Sequence, residues 1–133
     1  MIVIDSSAVV AIILKEPPAE ALTKRIAQEG TRRMSTASYL ETGAVLAGRS
    51  ATTPFKAIDN LDEFLTDTRI DLVPVDEGQA RIALRARIQF GRGFKSGAQL
   101  NYGDCFSYAL AKSLSAPLLY VGTDFDRTDV ERA

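Results

Sequence analysis

Apolar positions along the chain follow two rhythms. Short runs of consecutive apolar residues alternate with stretches where apolar residues recur every three or four positions. Met1 to Ile4 is apolar throughout and reads as a buried strand, ended by Asp5. Ser6 and Ser7 are N-cap candidates for an apolar helix over Ala8 to Leu14, which Lys15-Glu16-Pro17-Pro18 stops. Pro18 suits the first turn of a second helix reaching about Glu29, with Gly30 as its stop. Arg33 to Ser35 has room for a short strand. Thr36 or Ser38 then caps a helix over roughly Ala37 to Gly48. Its Ala37, Leu40, Ala44 and Ala47 form a narrow small-residue face, with Glu41 beside it. Pro54 to Thr66 is amphipathic through Phe55, Ile58, Leu61, Phe64 and Leu65.

Asp71 to Val75 is the next expected strand. Glu77 to Phe90 follows as a helix with Ile82, Ala83, Ala86 and Phe90 inward and its arginines outward. Gly91 to Gly103 has four glycines and no periodicity, so it reads as a loop. From Asn101 to Val130 the pattern is helix, strand, acidic turn. Asn101 is placed to cap a helix of about Gly103 to Leu114, Pro117 breaks it, and Leu118 to Val121 has the shape of a short buried strand. Strand–helix alternation through the chain argues for an α/β fold with a largely parallel sheet covered by helices.

Composition changes this picture in three places. A length of 133 residues is that of one domain with a real core. The longest apolar run, Ala8 to Leu14, is too short to span a bilayer. No basic segment precedes an apolar stretch at the N-terminus, and Cys105 has no cysteine to pair with, so a reducing cytoplasm is the expected setting. The net charge of −1 implies no partner, but the charge is segregated. Asp59 to Glu77 holds seven acids and one base, whereas Gly78 to Gly103 holds Arg81, Arg85, Arg87, Arg92 and Lys95 and no acid. That basic stretch is either a solvated helix face or a rim that meets phosphates.

The absence of histidine excludes a Ser-His-Asp triad, a Cys-His nucleophile and a His-rich zinc site. Carboxylates are then the expected actors, and acids alone make hard oxygen sites suited to Mg²⁺ or Mn²⁺. Four stand out by position. Asp5 and Asp124 each follow a strand, Asp104 opens a helix, and Glu41 lies early in one. Taken singly, Asp5 and Asp124 could cap turns, Asp104 could complement a helix dipole and Glu41 could be solvated. Taken together they recur at the ends of one sheet. Grouped carboxylates repel unless protonated or joined by a cation, which is the physical reason to infer a metal. Such an ion lowers the pKa of bound water and stabilises a phosphoryl transition state.

The chain resembles the PIN-domain family, and within it the VapC toxins of bacterial type II toxin–antitoxin pairs. The resemblance spans the chain and rests on MIVIDSSAVVAIILKEP, ASYLETGAVL, LNYGDCFSYALAK and PLLYVGTDFDRTDV, in that order. It implies a three-layer α/β sandwich with a mostly parallel sheet of about four to five strands. It also implies a metal site at Asp5, Glu41, Asp104 and Asp124 that binds Mg²⁺ or Mn²⁺ and cleaves RNA, leaving 5′-phosphate and 3′-hydroxyl ends. Ser7 falls where the family places a Ser or Thr near the metal, and Asp126 is a further candidate acid. Asn101 matches a recurrent position that capping explains. Arg81, Arg85, Arg92 and Lys95 are candidates to position the RNA backbone. The implied partners are a second copy of the chain and a VapB-type antitoxin, whose C-terminal segment covers the acidic pocket and which alone binds operator DNA.

Two other classes compete. A PIN-like scaffold would keep the fold without the chemistry, but all four acids are present. A haloacid-dehalogenase-like phosphatase also starts with a strand-ending Asp, yet needs an acid two residues on, where this chain has Ser7.

Overall fold

A computed structural model describes residues 1–133. Four parallel strands form the sheet in the order β3-β2-β1-β4, with β1 at Ile2–Ile4, β2 at Arg32–Ser35, β3 at Ile70–Val73 and β4 at Leu118–Leu119. Six helices surround it: α1 (Ser6–Ile13), α2 (Ala19–Ala27), α3 (Thr36–Arg49), α4 (Pro54–Asp67), α5 (Glu77–Phe90) and α6 (Asp104–Leu114). The three-layer α/β arrangement expected from the sequence is present, with four strands and all of them parallel.

The central strand explains the layers. Ile2, Val3 and Ile4 are all fully buried, because both faces of a parallel sheet are covered. Ile2 and Ile4 pack with Val9, Leu22, Met34, Leu61 and Leu65 of the α1–α4 side. Val3 packs on the opposite face with Ala83, Ala86, Leu110 and Leu118, under α5 and α6. Burying each large aliphatic side chain is worth roughly 1.5–3 kcal/mol, so the double-sided core dominates stability.

Several local expectations change. Asp5, rather than Ser6 or Ser7, caps α1, accepting from the Ser7 amide at 3.0 Å. Ser35, rather than Thr36 or Ser38, caps α3. The buried face of α3 is Ser38, Thr42 and Leu46, not the Leu40 and Ala44 row. Hydroxyls can face the core here because each is satisfied: Ser38 Oγ lies 2.9 Å from Ser107 Oγ of α6, and Thr42 donates to the Ser38 carbonyl at 2.7 Å. Leu40 is left 71% exposed. Phe55, assigned to the apolar face of α4, is 80% exposed, while Leu61 and Leu65 are buried. The third strand ends at Val73, since Pro74 has no N–H to continue a ladder. The last strand stops at Leu119, and the Val121 amide turns instead to Ser7 Oγ at 3.0 Å.

Arg87 does not point outward with its neighbours. Its Nη1 donates to the carbonyls of Arg92 and Leu100, both at 3.1 Å, and its guanidinium lies over the Phe94 ring. It thereby ties the Gly91–Gly103 loop to α5. No helix is long and apolar enough to cross a membrane.

Candidate metal centre

All four parallel strands end on the same side, and ligands gather at that end of an α/β sheet. Asp5 follows β1 and is 2% exposed. Asp124 follows β4 by a short turn that holds Gly122 at φ +94. Glu41 comes from the second turn of α3, whose start is set by the Ser35 cap immediately after β2. Asp104 opens α6, where a reciprocal cap holds it: the Asp104 amide donates to Asn101 Oδ1 at 2.8 Å, and the Asn101 amide donates to Asp104 Oδ2 at 2.9 Å. The capping duty expected of Asn101 is therefore real, and it orients an acid as well as a helix.

Two of these groups, Asp104 and Glu41, are perturbed by their surroundings. Burial first, and then the charges of Asp5, Asp124 and Glu41, push the Asp104 carboxyl up to about 7, against the Asn101 hydrogen bond that holds it down. Burial and the Asp5 charge also raise Glu41, with Ser6 partly opposing them. No three acids close into a ready-made cage of cation ligands.

Two oxygens at this end lack any partner. Asp5 Oδ1 and Glu41 Oε2 are buried and accept no hydrogen bond. A buried carboxylate oxygen left unpaired is costly, so each calls for a cation or a proton. The donor set is all oxygen, which fits Mg²⁺ or Mn²⁺. The other Asp5 oxygen is fully engaged: Ser7 Oγ donates to Oδ2 at 2.6 Å while receiving the Val121 amide. Ser7 thus joins the end of β1 to the end of β4.

One oxygen of Asp126 is already engaged by neighbouring side chains. Its Oδ1 accepts from Tyr120 Oη at 2.8 Å and from Arg132 Nη1 at 3.4 Å, and the Arg132 guanidinium also covers the Tyr120 ring. With Thr123, Asp124 and Arg127, Asp126 lines a cleft of about 480 Å³ against Gly97 to Gln99. Of the expected basic residues, Arg81 is paired with Glu77, whereas Arg85, Arg92 and Lys95 are exposed and form no ion pair. On the other side of Glu41 an apolar groove of about 400 Å³ runs between Ala37, Leu40 and Ala44 of α3 and Tyr102 and Phe106.

Three residues at this end escaped the sequence reading. Gly103 admits the Glu41 carboxylate, and its position just before a helix-opening Asp was the available signal. Ser6 bears on Glu41, and Arg127 stands on the wall of the Asp124 cleft. Neither had a signal, because both contacts cross between distant segments.

The PIN domain family model matches residues 2–131. The chain belongs to the PIN-domain family. Its relatives include Ribonuclease VapC28 of Mycobacterium tuberculosis, 44% identical over 131 residues that cover 98% of this chain and 96% of the relative. Ribonuclease VapC of Mycolicibacterium smegmatis is 48% identical over 128 residues, 96% of each chain. The same fold is seen in Mycobacterium tuberculosis VapC20, a sarcin-ricin loop cleaving toxin, with a TM-score of 0.78 at 13% identity over 100% of this chain and 98% of that one. It is seen again in VapBC-1 of nontypeable Haemophilus influenzae, with a TM-score of 0.76 at 18% identity over 100% and 97%.

Proposed function

We propose that this chain is a Mg²⁺- or Mn²⁺-dependent endoribonuclease and the toxin of a type II toxin–antitoxin pair. The observation that carries the reading is the pair of buried, unpartnered oxygens of Asp5 and Glu41 beside a carboxyl raised to about 7 at Asp104. The names of the VapC relatives supply the substrate class.

In this reading Asp5, Glu41, Asp104 and Asp124 hold the ion. When bound, it supplies Lewis acidity and an activated water for in-line attack on a phosphodiester. The protein's own part is positional. Ser7 fixes one Asp5 oxygen and leaves the other free, and Asn101 does the same for Asp104. Arg85, Arg92 and Lys95, exposed and free of ion pairs, are the cations this reading assigns to backbone phosphates. Products carry 5′-phosphate and 3′-hydroxyl ends.

The partners in this reading are a VapB-type antitoxin, which carries the operator DNA contact, and a second copy of the chain. VapBC complexes are among the solved folds it matches. The apolar strip of Leu40, Leu84, Tyr102 and Phe106 is the surface offered to the second copy, with Leu40 71%, Leu84 62% and Tyr102 73% exposed. The setting is a reducing cytoplasm, in keeping with the free, buried Cys105.

The test is RNA cleavage by the full chain with Mg²⁺ or Mn²⁺, against Asp5→Asn and Asp104→Asn. Each variant should lose at least about a hundredfold in rate, since even outer-shell changes at metal sites cost 10–100-fold. Unchanged cleavage in either variant overturns the assignment. A scaffold that only binds RNA would bind it equally well without the metal and cut nothing.

A further inference from the structure

The cleft beside Asp124 is built for more than one acid. It lies between residues 97–99 of the glycine-rich loop and residues 123–127 of the turn after β4, and holds about 480 Å³. Arg127 lines it and is exposed, yet forms no ion pair, although Asp124 and Asp126 share the same lining. Its one protein partner is a backbone oxygen: Nη1 donates to the Gly97 carbonyl at 3.1 Å. A guanidinium carries five N–H donors in a planar fork, so most of this one remains unspent. The contact is made at a glycine. That residue has φ +73, and a β-carbon there would come within 3.2 Å of Arg127 Nη1. The guanidinium thus bridges the two segments that line the cleft.

Gln99 stands on the opposite wall, exposed. An amide that both donates and accepts can match the edge of a base. Single-stranded RNA presents unstacked bases to such clefts, while its phosphates meet arginine.

We infer that this cleft is the subsite for the nucleotide next to the scissile phosphodiester, with Arg127 on its phosphate and Gln99 facing its base. The inference rests on the ribonuclease reading and adds where the strand lies and what reads it. Arg127 acts both as the staple of the cleft wall and as a phosphate ligand. A staple alone would leave its rate effect independent of substrate charge.

The experiment separates these. The full chain with Mn²⁺ first digests a random-sequence RNA pool, which locates the cut. Short RNAs are then made with one neutral methylphosphonate at each position flanking that cut. At one position the wild type should lose about tenfold or more in kcat/KM, the scale of a charge-assisted hydrogen bond. Arg127→Ala should lose a similar factor on unmodified RNA, and within about twofold nothing more on that methylphosphonate. Arg127→Lys, which keeps the charge but not the fork, should fall between them and guards against misfolding of the alanine variant. Mn²⁺ affinity, read by electron paramagnetic resonance, should be unchanged in both variants. Gln99→Ala should flatten the base preference at the same position.

Losses that multiply, with Arg127→Ala as sensitive to every methylphosphonate as the wild type, overturn the phosphate contact. An unaltered base preference in Gln99→Ala removes that residue from the subsite. A wild type that leaves the pool intact overturns the ribonuclease reading, and this subsite with it.

Discussion

Gly103 leaves the space that Glu41 occupies. A β-carbon at Gly103 would lie 2.5 Å from Glu41 Oε2 and 2.7 Å from both Cδ and Oε1. The backbone there is ordinary helical, with φ −64 and ψ −41, so conformation does not demand glycine. The demand is volume: α3 brings its carboxylate against the start of α6, one residue before Asp104.

Gly103→Ala should therefore act through Glu41. Its methyl group must displace the carboxylate, because the alternative is a shift of the α6 backbone. The expected result is at least about a tenfold loss of Mn²⁺ affinity, the scale of a displaced supporting group at a metal site. Stability should hold or fall slightly, since Gly103 is the N-cap of α6, where alanine is less favourable than glycine. Calorimetric titration and thermal melting check the two arms. Wild-type metal affinity in Gly103→Ala would remove Glu41 from the ligand set.

Stability of the metal-free protein should fall as pH rises. Asp104 has an ordinary carboxyl value of 3.8 that burial and neighbouring acids push to about 7 in the fold. A raised folded value means that the native state holds the proton more tightly than the unfolded chain. The stabilisation is complete below the unfolded value and is lost as pH climbs through about 7. The melting temperature should drop by roughly 4 °C or more between pH 5 and pH 8, where each kcal/mol moves a domain of this size by several degrees. Asp104→Asn should flatten that slope, and Mn²⁺ should oppose it. A flat profile in the metal-free wild type would contradict the raised carboxyl.

Ser7→Ala removes two hydrogen bonds at once. Asp5 Oδ2 loses its hydroxyl donor at 2.6 Å, and the Val121 amide loses its acceptor at 3.0 Å. The expected cost is about 1–3 kcal/mol in chemical denaturation, that of stranded polar groups in a buried setting. Ser7→Thr keeps the hydroxyl and should recover most of it.

Asp126→Asn tests whether the second acid of Asp124-Phe125-Asp126 is a ligand. Its carboxylate is engaged by Tyr120 and Arg132. The tail beyond it pairs with β4, where Leu118 N donates to the Glu131 carbonyl at 2.8 Å and Ala133 N donates to the Leu118 carbonyl at 3.0 Å. Asp126→Asn should loosen that tail, seen as faster amide exchange at Ala133, with Mn²⁺ affinity unchanged. A loss of metal affinity comparable to that of Asp5→Asn would make it a ligand instead.

Much was legible because it is local. The apolar run of β1, the Pro54 start of α4 and the Asn101 cap depend on near neighbours. So does the position of Asp5 and Asp124 just past strands, which made them candidates. Glu41 stood out only by its place early in a small-residue helix, and Ser7 was placed near the site through the family resemblance alone. The buried hydroxyl face of α3 was misread because Ser38 and Thr42 look polar in sequence. Ser38 meets its partner Ser107 only across 69 positions of chain.

The sequence by itself determined the layers and narrowed the chemistry open to the chain. A short apolar strand and helices of fixed period make a parallel sheet the consistent outcome, and a chain without histidine leaves carboxylates as its candidate ligands. Only the tertiary structure decided which oxygens are free. Asp5 Oδ1 is bare because Ser7 claims Oδ2, Glu41 is held close because Gly103 has no side chain, and one Asp126 oxygen is taken by Tyr120. Those outcomes depend on volume and hydrogen bonding between segments far apart in the chain, and no periodicity encodes them.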